Sequence, residues 1–237
     1  MLKLFVILIE INFLKKTIKT LNLLKVSRVF RIVDTKNRIL KSAELLFLRL
    51  GIKSITMDDI AKELGISKKT IYLHFIDKNQ IVNEVISIAL EREKIEAEVI
   101  YKKAKNPIDE IFLSTNKMYE IFENINPVML FDLQKYHPQA WDKYLAFKIN
   151  FLDIVKRNML DGIHQKLYRS DVDVEIMAKL RVESVDLAFN MKIFSPKNFK
   201  LITVQIHFID HFIRGIVSPI GLEIYEKYKQ ELKINTL

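Results

Sequence analysis

The sequence contains no cysteine and only five glycines and five prolines among 237 residues. The lack of cysteine excludes a disulfide framework, a cysteine-based zinc site and a thiol nucleophile. Because glycine and proline mark turns, their scarcity predicts long helices. No run of alternating β-branched residues indicates a sheet, and the hydrophobic content of 49% is enough for one large or two modest cores. The composition therefore predicts an all-α protein.

Signatures of catalysis are also missing from the sequence. It has no glycine-rich phosphate loop, no His-Glu-x-x-His zinc motif and no Gly-x-Ser-x-Gly nucleophile elbow. We therefore expect a protein that is not an enzyme and uses no cofactor. Its function is then expected to depend on binding.

Basic residues are concentrated towards the N-terminus. Residues 1–33 carry seven Lys or Arg and one Glu, and residues 34–81 carry nine Lys or Arg and six acids. From residue 82 onward, 22 bases and 22 acids cancel, although the whole chain has a net charge of +9. A basic front end on a neutral body is expected of a phosphate-binding head joined to a second domain. A basic segment that binds a membrane surface would show a similar distribution.

The first 14 residues form an apolar run with one early lysine, which is the start of a signal-peptide pattern. However, Lys15, Lys16 and Lys19 follow where a cleavage site needs small residues, and Glu10 interrupts the run. The run is also shorter than the about 20 residues that cross a bilayer. We therefore expect a cytoplasmic protein. Residues 1–33 are then an extension, either an extra amphipathic helix or a stretch upstream of the true translation start.

Capping signals predict four helices between residues 34 and 105, of which the second and third have the pattern of a helix-turn-helix. Thr56-x-x-Asp59 forms a capping box that starts the second helix. Gly65 can adopt the positive φ of the connecting turn, and Ser67 caps a short third helix. Residues 34–81 are thus predicted to be a three-helix DNA-binding domain.

Apolar side chains at helical spacing form the wedge between these helices. They are Ile60, Leu64, Ile66, Ile71 and Phe75. With these side chains turned inward, Lys68, Lys69, Thr70 and Leu73 remain outside, where a recognition helix meets bases and phosphates.

Residues 82–237 are predicted to form a second, helical-bundle domain. Long amphipathic segments lie at about 139–168, 172–194 and 197–216, and a polar and apolar tail follows Pro219. No low-complexity linker separates the two domains, so we expect them to share the fourth helix.

The stretch from Ile39 to Val82 resembles the DNA-binding domain of the TetR family of bacterial regulators. Its most specific part is Thr56…Ile60-Ala61…Gly65-Ile66-Ser67…Tyr72-Leu-His-Phe75…Lys78. A Tyr-x-x-Phe that ends the recognition helix, followed by a short turn and a lysine, separates this family from other helix-turn-helix proteins. The extension at residues 1–33 is not part of the family's pattern.

The resemblance implies a transcriptional regulator that binds a palindromic operator in double-stranded DNA as a homodimer. It also implies a repressor that a small apolar or amphipathic effector releases, and a dimer interface in the last two long helices, about 172–216. The implied DNA-binding residues are Thr56, Ser67, Lys68, Lys69, Thr70, Tyr72, His74 and Lys78. Thr56 and Lys78 are expected at phosphates near helix N-termini, and Lys69 is a candidate for a groove contact.

The region from about 110 to 190 is rich in flexible and aromatic apolar side chains. The candidates for effector binding are Met118, Phe122, Trp141, Tyr144, Phe151 and Phe189, with Tyr119 and His137 as further polar anchors. Such residues line ligand pockets, but they also fill ordinary cores. The sequence leaves both roles open for each of them.

The sequence also allows two other interpretations. His207-x-x-Asp210-His211 could place metal-ligand side chains on one helix face, as in a small helical enzyme, but no second cluster completes a site and we expect no metal. Alternatively, the chain is a helical membrane-surface or protein adaptor that uses residues 1–33.

Overall fold

The structure, a computed structural model, describes Lys19 and residues 34–231. Between residues 34 and 231 it contains ten helices and one isolated antiparallel bridge, which joins Tyr168 to Val217. The helices are α1 (34–50), α2 (Met57–Leu64), α3 (Lys68–Tyr72), α4 (Lys78–Lys103), α5 (Pro107–Phe122), α6 (Val128–Tyr136), α7 (Pro138–His164), α8 (Val174–Ala188), α9 (Leu201–Ile216) and α10 (Pro219–Glu231). The predicted all-α class is confirmed.

The predicted extension at residues 1–33 lies outside the described residues, Lys19 excepted, and so do the last residues of the predicted second domain. The adaptor reading depends on that extension and stays a prediction. Within the described part, no helix combines the length and the apolar character that crossing a bilayer requires.

Helices α1, α2 and α3 enclose one apolar core together with the start of α4. The fully buried side chains in it are Ile39, Phe47, Ile52, Ile60, Ile71, Phe75 and Ile81. Leu64 and Ile66 pack against this core and are partly buried. The apolar wedge predicted from the sequence is therefore confirmed.

The local signals of the helix-turn-helix also have the predicted geometry. Thr56 Oγ1 accepts a hydrogen bond from Asp59 N at 3.2 Å, and Asp59 Oδ2 accepts one from Thr56 N at 2.8 Å. Gly65 ends α2 in the left-handed conformation, with φ of 64°. Ser67 Oγ accepts a hydrogen bond from Thr70 N at 3.1 Å and so caps α3. Each device satisfies a backbone group that the helix itself leaves unpaired.

Helix α4 runs through both predicted domains. Asp77 caps it by accepting a hydrogen bond from Gln80 N at 2.8 Å, and Ile81 and Val82 in its first turns are fully buried in the head's core. Its later turns pack on α5 and α7. Because α4 crosses residue 82, the structure has no break at the predicted domain boundary. That residues 34–81 and 82–237 are separate domains stays a prediction.

The body is organised around the 27-residue helix α7, which packs on α4, α5, α6 and α8. A second apolar core between α5, α7, α8 and α9 contains the fully buried Ile108, Met159, Ile213 and Ile216. Asn158 is buried in this core. Its side-chain amide donates to the Pro107 carbonyl at 2.9 Å, and its Oδ1 accepts from Tyr168 Oη at 3.1 Å. The buried polar groups thus hold α5 and the loop after α7 in register.

The C-terminal helices differ from the prediction in two respects. The segments expected at 172–194 and 197–216 are shorter, because turns at Asn190 and Ser195 separate α8 from α9. The expected tail after Pro219 is helical: Ser218 Oγ accepts from Gly221 N at 3.1 Å, and Tyr225 is buried against the body. Burial of an apolar face, which only the neighbouring helices provide, stabilises this last helix.

Gly162 on α7 lies against the buried ring of Tyr168, and a Cβ at this position would lie 2.0 Å from Tyr168 Cδ2. We expect Gly162→Ala to lower the free energy of unfolding by about 2 kcal/mol, because overpacking outweighs the gain in helix propensity of about 1 kcal/mol. Denaturant unfolding followed by circular dichroism measures this. Gly215→Ala on α9 is a matched control, since the nearest atom to its added Cβ is Met177 Cε at 3.9 Å. Equal losses in both variants would contradict the packing argument.

Candidate nucleic-acid interface and ligand cavity

The short helix α3 exposes one face to solvent. Ile71 is fully buried, whereas Lys68, Lys69 and Tyr72 are exposed, and Leu73 just beyond the helix is 75% exposed. An exposed apolar side chain beside lysines suits a major groove, where thymine methyl groups alternate with polar base edges. The predicted outward face of α3 is present in the structure, and its contacts with DNA stay predictions.

The polar side chains of α3 differ in how available they are. Lys68 Nζ pairs with Asp58 Oδ2 on α2 at 2.8 Å, and this hydrogen bond raises the pKa of Lys68. Ser67 Oγ and Thr70 Oγ1 lie 2.9 Å apart and hydrogen-bond to each other. Lys69 is exposed and has no ion-pair partner among the residues that the structure describes. Lys69 is therefore the basic side chain of α3 that can meet a phosphate or guanine without first breaking an ion pair.

Thr56 and His74 lie at the two ends of the motif. The Thr56 hydroxyl donates to Asp59 Oδ2 at 2.6 Å, and this bond lowers the pKa of Asp59. The hydroxyl proton of Thr56 is thus engaged within the capping box. His74 follows α3 and is half-buried, beside the exposed Tyr72.

Lys78 is the first residue of α4 but is less accessible than the lysines of α3. Its Nζ donates to the Lys53 carbonyl at 3.4 Å, and burial lowers the pKa of Lys78. A phosphate contact by Lys78 requires its side chain to leave the Lys53 carbonyl. The sequence contained no signal for this contact, since Lys53 lies in the loop before α2.

A cavity of about 310 Å³ lies between the head and the body. Its walls come from α1, α4, α5, α6, α7 and α8, and most of them are apolar. Five of the six predicted effector-binding residues line it: Met118, Phe122, Tyr144, Phe151 and Phe189. Trp141 does not line it, because its ring packs on Tyr144 with the ring centroids 5.1 Å apart. Neither of the further anchors, Tyr119 and His137, lines this cavity.

The head supplies part of the cavity wall, which the sequence analysis did not predict. Phe47, Leu48 and Ile52 of the DNA-binding head line the cavity together with Val85 and Ile86 of α4. These residues lie outside the region from about 110 to 190 in which the sequence placed its effector candidates, and only the packing of the head on the body brings them to the cavity.

Ionic side chains line the same cavity. Lys148 Nζ lies 2.6 Å from Asp186 Oδ2 and 2.9 Å from Glu183 Oε2, and the Tyr144 hydroxyl also donates to Asp186. Burial raises the pKa of Tyr144, so its hydroxyl stays protonated and remains a donor. At another part of the wall, Glu44 pairs with Arg92 of α4.

Helix α6 is fastened to the loop that follows α1. The buried carboxylate of Asp132 accepts a hydrogen bond from Lys53 N at 2.7 Å, and Lys53 Nζ donates to Tyr136 Oη at 3.1 Å. This second bond raises the pKa of Lys53. Gly51 has a φ of 83°, and a Cβ there would lie 2.4 Å from Val128 Cγ1. Close approach of α6 therefore requires glycine at this position.

The metal-binding reading of α9 does not match the geometry. Asp210 accepts hydrogen bonds from Tyr225 Oη at 2.8 Å, Arg214 Nε at 3.0 Å and Lys229 Nζ at 3.0 Å. These bonds point the carboxylate towards α10, and they lower its pKa. In the described ranges, no group of three His, Asp or Glu side chains is arranged to hold a metal ion.

Sequence comparison finds two matches that bear on the site. The model of the family described as "Bacterial regulatory proteins, tetR family" matches residues 39–85. Over 182 residues, the chain is 25% identical to YvaF, an uncharacterized HTH-type transcriptional regulator of Bacillus subtilis (strain 168). That alignment covers 76% of this chain and 95% of the relative, so the likeness extends through the body.

Solved structures share the fold over more than three quarters of this chain. A TetR-family transcriptional regulator from Agrobacterium tumefaciens matches with a TM-score of 0.67 and 14% identity, over 79% of this chain and all of that one. A regulator from Saccharomonospora viridis in complex with choline has a TM-score of 0.64 and 19% identity, over 78% and 99%. FadR from Bacillus subtilis in complex with stearoyl-CoA has a TM-score of 0.57 and 16% identity, over 76% and 98%.

Removing the Asp132 carboxylate tests the link between α6 and the head. We expect Asp132→Ala to lower the free energy of unfolding by about 1–3 kcal/mol, because the Lys53 amide loses its acceptor at a partly buried junction. Chemical denaturation at neutral pH measures the change. Asp142→Ala on the exposed side of α7 is the control and should stay within about 0.5 kcal/mol of the wild type. An Asp132→Ala protein as stable as the control would show that this bond does not hold the junction.

Proposed function

This chain belongs to the TetR family of bacterial transcriptional regulators. We propose that it is a repressor that binds a palindromic operator and is released from it when a small molecule binds in the cavity. Its fold and relatives are those of regulators, so it acts by binding DNA and not by catalysis. One observation supports the proposal most directly: Phe47, Leu48 and Ile52 of the DNA-binding head form part of the cavity wall. A ligand in the cavity would therefore touch the head itself.

DNA recognition is assigned to the exposed face of α3. Lys69 and Tyr72 are exposed and close in sequence, and Leu73 extends the same surface. One short helix contacts few bases, so two heads are needed on half-sites about 34 Å apart. This spacing is the physical reason for a palindromic operator and a homodimer.

The dimer interface is assigned to residues 172–216. Helix α8 exposes Ile176, Leu180 and Leu187, whose spacing places them along one side of the helix. Helix α9 exposes His207 and His211 between its buried positions. An apolar stripe flanked by polar side chains is the usual composition of an interface between protein copies.

Release is expected to follow from the shared cavity wall. Helix α6 faces the cavity with Met129, Leu130 and Leu133, and Asp132 on the same helix holds the loop after α1. A ligand that fills the cavity pushes on α6 and α4 together. Any shift of α6 is passed to the head through Lys53, which changes the spacing of the two recognition helices in the dimer. Only the conformation with the correct spacing engages both half-sites. DNA therefore favours this conformation and the effector favours another, so each weakens the binding of the other.

The structural neighbours support a small-molecule effector without identifying it. One was solved with choline and another with stearoyl-CoA, which differ in charge and size. The fold therefore accepts very different ligands, and the chemistry of the lining decides which one binds. The apolar walls of this cavity favour an effector that is at least partly apolar.

Replacing Lys69 and Tyr72 together should weaken DNA binding. We expect Lys69→Ala/Tyr72→Ala to bind an operator fragment at least about tenfold more weakly, and the slope of log affinity against log salt concentration to fall by about one. The assay is fluorescence anisotropy with DNA from upstream of the protein's own gene, across a salt series.

The matched control for this experiment is Lys103→Ala, an exposed lysine at the end of α4 and outside the proposed dimer interface. It removes the same charge far from α3 in sequence and should leave affinity and salt slope unchanged. Equal losses in both variants would show only an effect of net charge. Undiminished binding by the double variant would remove α3 as the DNA-reading helix.

Introducing a charge into the exposed stripe of α8 should prevent dimerisation. Ile176 is 65% exposed in the single chain, and Ile176→Glu would bury an unpaired carboxylate in the proposed interface. We expect the variant to sediment as a monomer and to bind the operator more weakly. Ile95→Glu on α4, where the isoleucine is 56% exposed, is the control and should remain dimeric. A dimeric Ile176→Glu protein would place the interface elsewhere.

A further inference from the structure

The cavity is lined by five ionic residues, and four of them have a partner of opposite charge. Arg92 Nη2 lies 2.7 Å from Glu44 Oε1, and Arg92 Nε lies 4.0 Å from Glu93 Oε1. Lys148 pairs with Glu183 and Asp186. The fifth, Arg181 of α8, has no acidic partner within 4.0 Å among the residues that the structure describes.

The surroundings of Arg181 satisfy little of its guanidinium. Nη1 donates one hydrogen bond, to Ser184 Oγ at 3.2 Å, and the group lies 6.0 Å from the ring centroid of Phe151. A guanidinium has five N–H donors, so most of them are left for another acceptor. Ser184 is neutral and Phe151 is apolar, and neither balances the charge.

The enclosing protein desolvates Arg181. Burial alone lowers its pKa to about 10, with no neighbouring acid to raise it, so the side chain is still a cation at neutral pH. By surface area the residue is only half-buried, and it lines both this cavity and a smaller one of about 90 Å³ next to it. An enclosed charge without a counterion is costly, and a bound anion would remove much of that cost.

The other side chains that line the cavity determine which chemical groups are attached to such an anion. Phe122, Phe189 and Met118 share the cavity with Arg181, and together with further aliphatic side chains they form a largely apolar wall. A small inorganic anion would leave these walls without contacts. A purely apolar ligand would leave the guanidinium without a counterion.

We propose that the effector is an amphipathic acid whose carboxylate, or an equivalent anionic group, pairs with Arg181 while its apolar part packs among Phe122, Phe189 and Met118. A carboxylate can accept two parallel hydrogen bonds from one guanidinium, which gives orientation as well as affinity. This inference rests on the proposed role of the cavity as the effector site. It goes further than that proposal by stating the charge of the ligand and by naming Arg181 as the residue that recognises this charge.

Three probes of equal chain length test the charge preference: decanoate, decan-1-ol and decylammonium. Each is titrated calorimetrically into the full-length protein, the two ions below their micelle concentrations and the alcohol below its solubility limit. A change in the fluorescence of Trp141, the single tryptophan, gives a second readout, since its ring packs on Tyr144 at the cavity wall. We expect decanoate to bind at least about tenfold more tightly than decan-1-ol, as a charge-assisted pair predicts, and decylammonium to bind most weakly. Equal affinity of the acid and the alcohol, tighter binding of the amine, or binding of none of the three would overturn the proposal.

Variants of Arg181 show whether this residue is the source of the preference. Arg181→Met keeps the length and apolar stem of the side chain and should bind decan-1-ol at least as well as the wild type, while losing the preference for decanoate. Arg181→Lys should keep part of that preference. Lys179→Met, an exposed lysine two residues away on α8, is the control and should keep all of it. A preference for decanoate that survives in Arg181→Met would assign the anion to another group.

The operator assay separates this inference from the proposed function. If decanoate binds through Arg181 but leaves DNA affinity unchanged, the anion site is supported, and the proposal that a ligand in this cavity releases DNA is contradicted. If decan-1-ol weakens DNA binding as effectively as decanoate at equal occupancy and binds with equal affinity, the effector cavity stands and the role of Arg181 fails.

Discussion

The docking of α6 against the loop after α1 is the contact on which the rest of the structure depends. Asp132 provides a buried carboxylate for the Lys53 amide, and Gly51 lets α6 approach because it has no side chain to meet Val128. This contact closes one side of the cavity and sets where the head lies on the body. Because a buried carboxylate without its donor is costly, α6 and the head tend to move together.

This arrangement explains how one cavity can influence DNA binding without a separate signalling element. The core of the head continues into the body, where Leu130 and Leu133 of α6 belong to the same apolar cluster as Phe47 of α1. Close-packed cores switch between a few arrangements and do not deform gradually. A ligand shifts the balance only as far as its affinities for those arrangements differ. The contacts that a ligand makes with the head therefore decide how strongly it affects DNA binding, more than the size of the cavity does.

The charged groups in the cavity wall have different consequences for specificity. Arg92 pairs with Glu44 and Glu93, and Lys148 pairs with Glu183 and Asp186, so both of these cations already have acidic partners within the protein. Tyr144 donates its hydroxyl to Asp186 and is likewise engaged. Arg181 differs because the protein encloses it without supplying an anion. In an apolar site, one uncompensated charge discriminates between ligands more strongly than several compensated ones, because desolvation magnifies its interactions.

The sequence by itself determined the features that depend on neighbours within about one or two helical turns. These are the all-α class, the capping box at Thr56, the turn at Gly65, the inward wedge of the helix-turn-helix and the outward face of α3. The concentration of flexible and aromatic apolar side chains between about 110 and 190 also pointed to five that line the cavity, because such side chains meet wherever helices enclose a space. The helical tail after Pro219 was missed, since its stability comes from burial of Tyr225 against the body.

Only the tertiary structure decided which inward residues meet a space and which meet one another. Trp141 and Phe122 were both candidates for effector binding, but the ring of Trp141 packs on Tyr144 outside the cavity lining, whereas Phe122 lines the cavity. The pairing of Asp132 with Lys53 spans 79 residues, and the lack of a partner for Arg181 in the described chain depends on where every nearby acid is directed. Helix caps and faces are encoded locally, whereas cavities and charge balance arise from helices that are distant in sequence and are fixed only when the core packs.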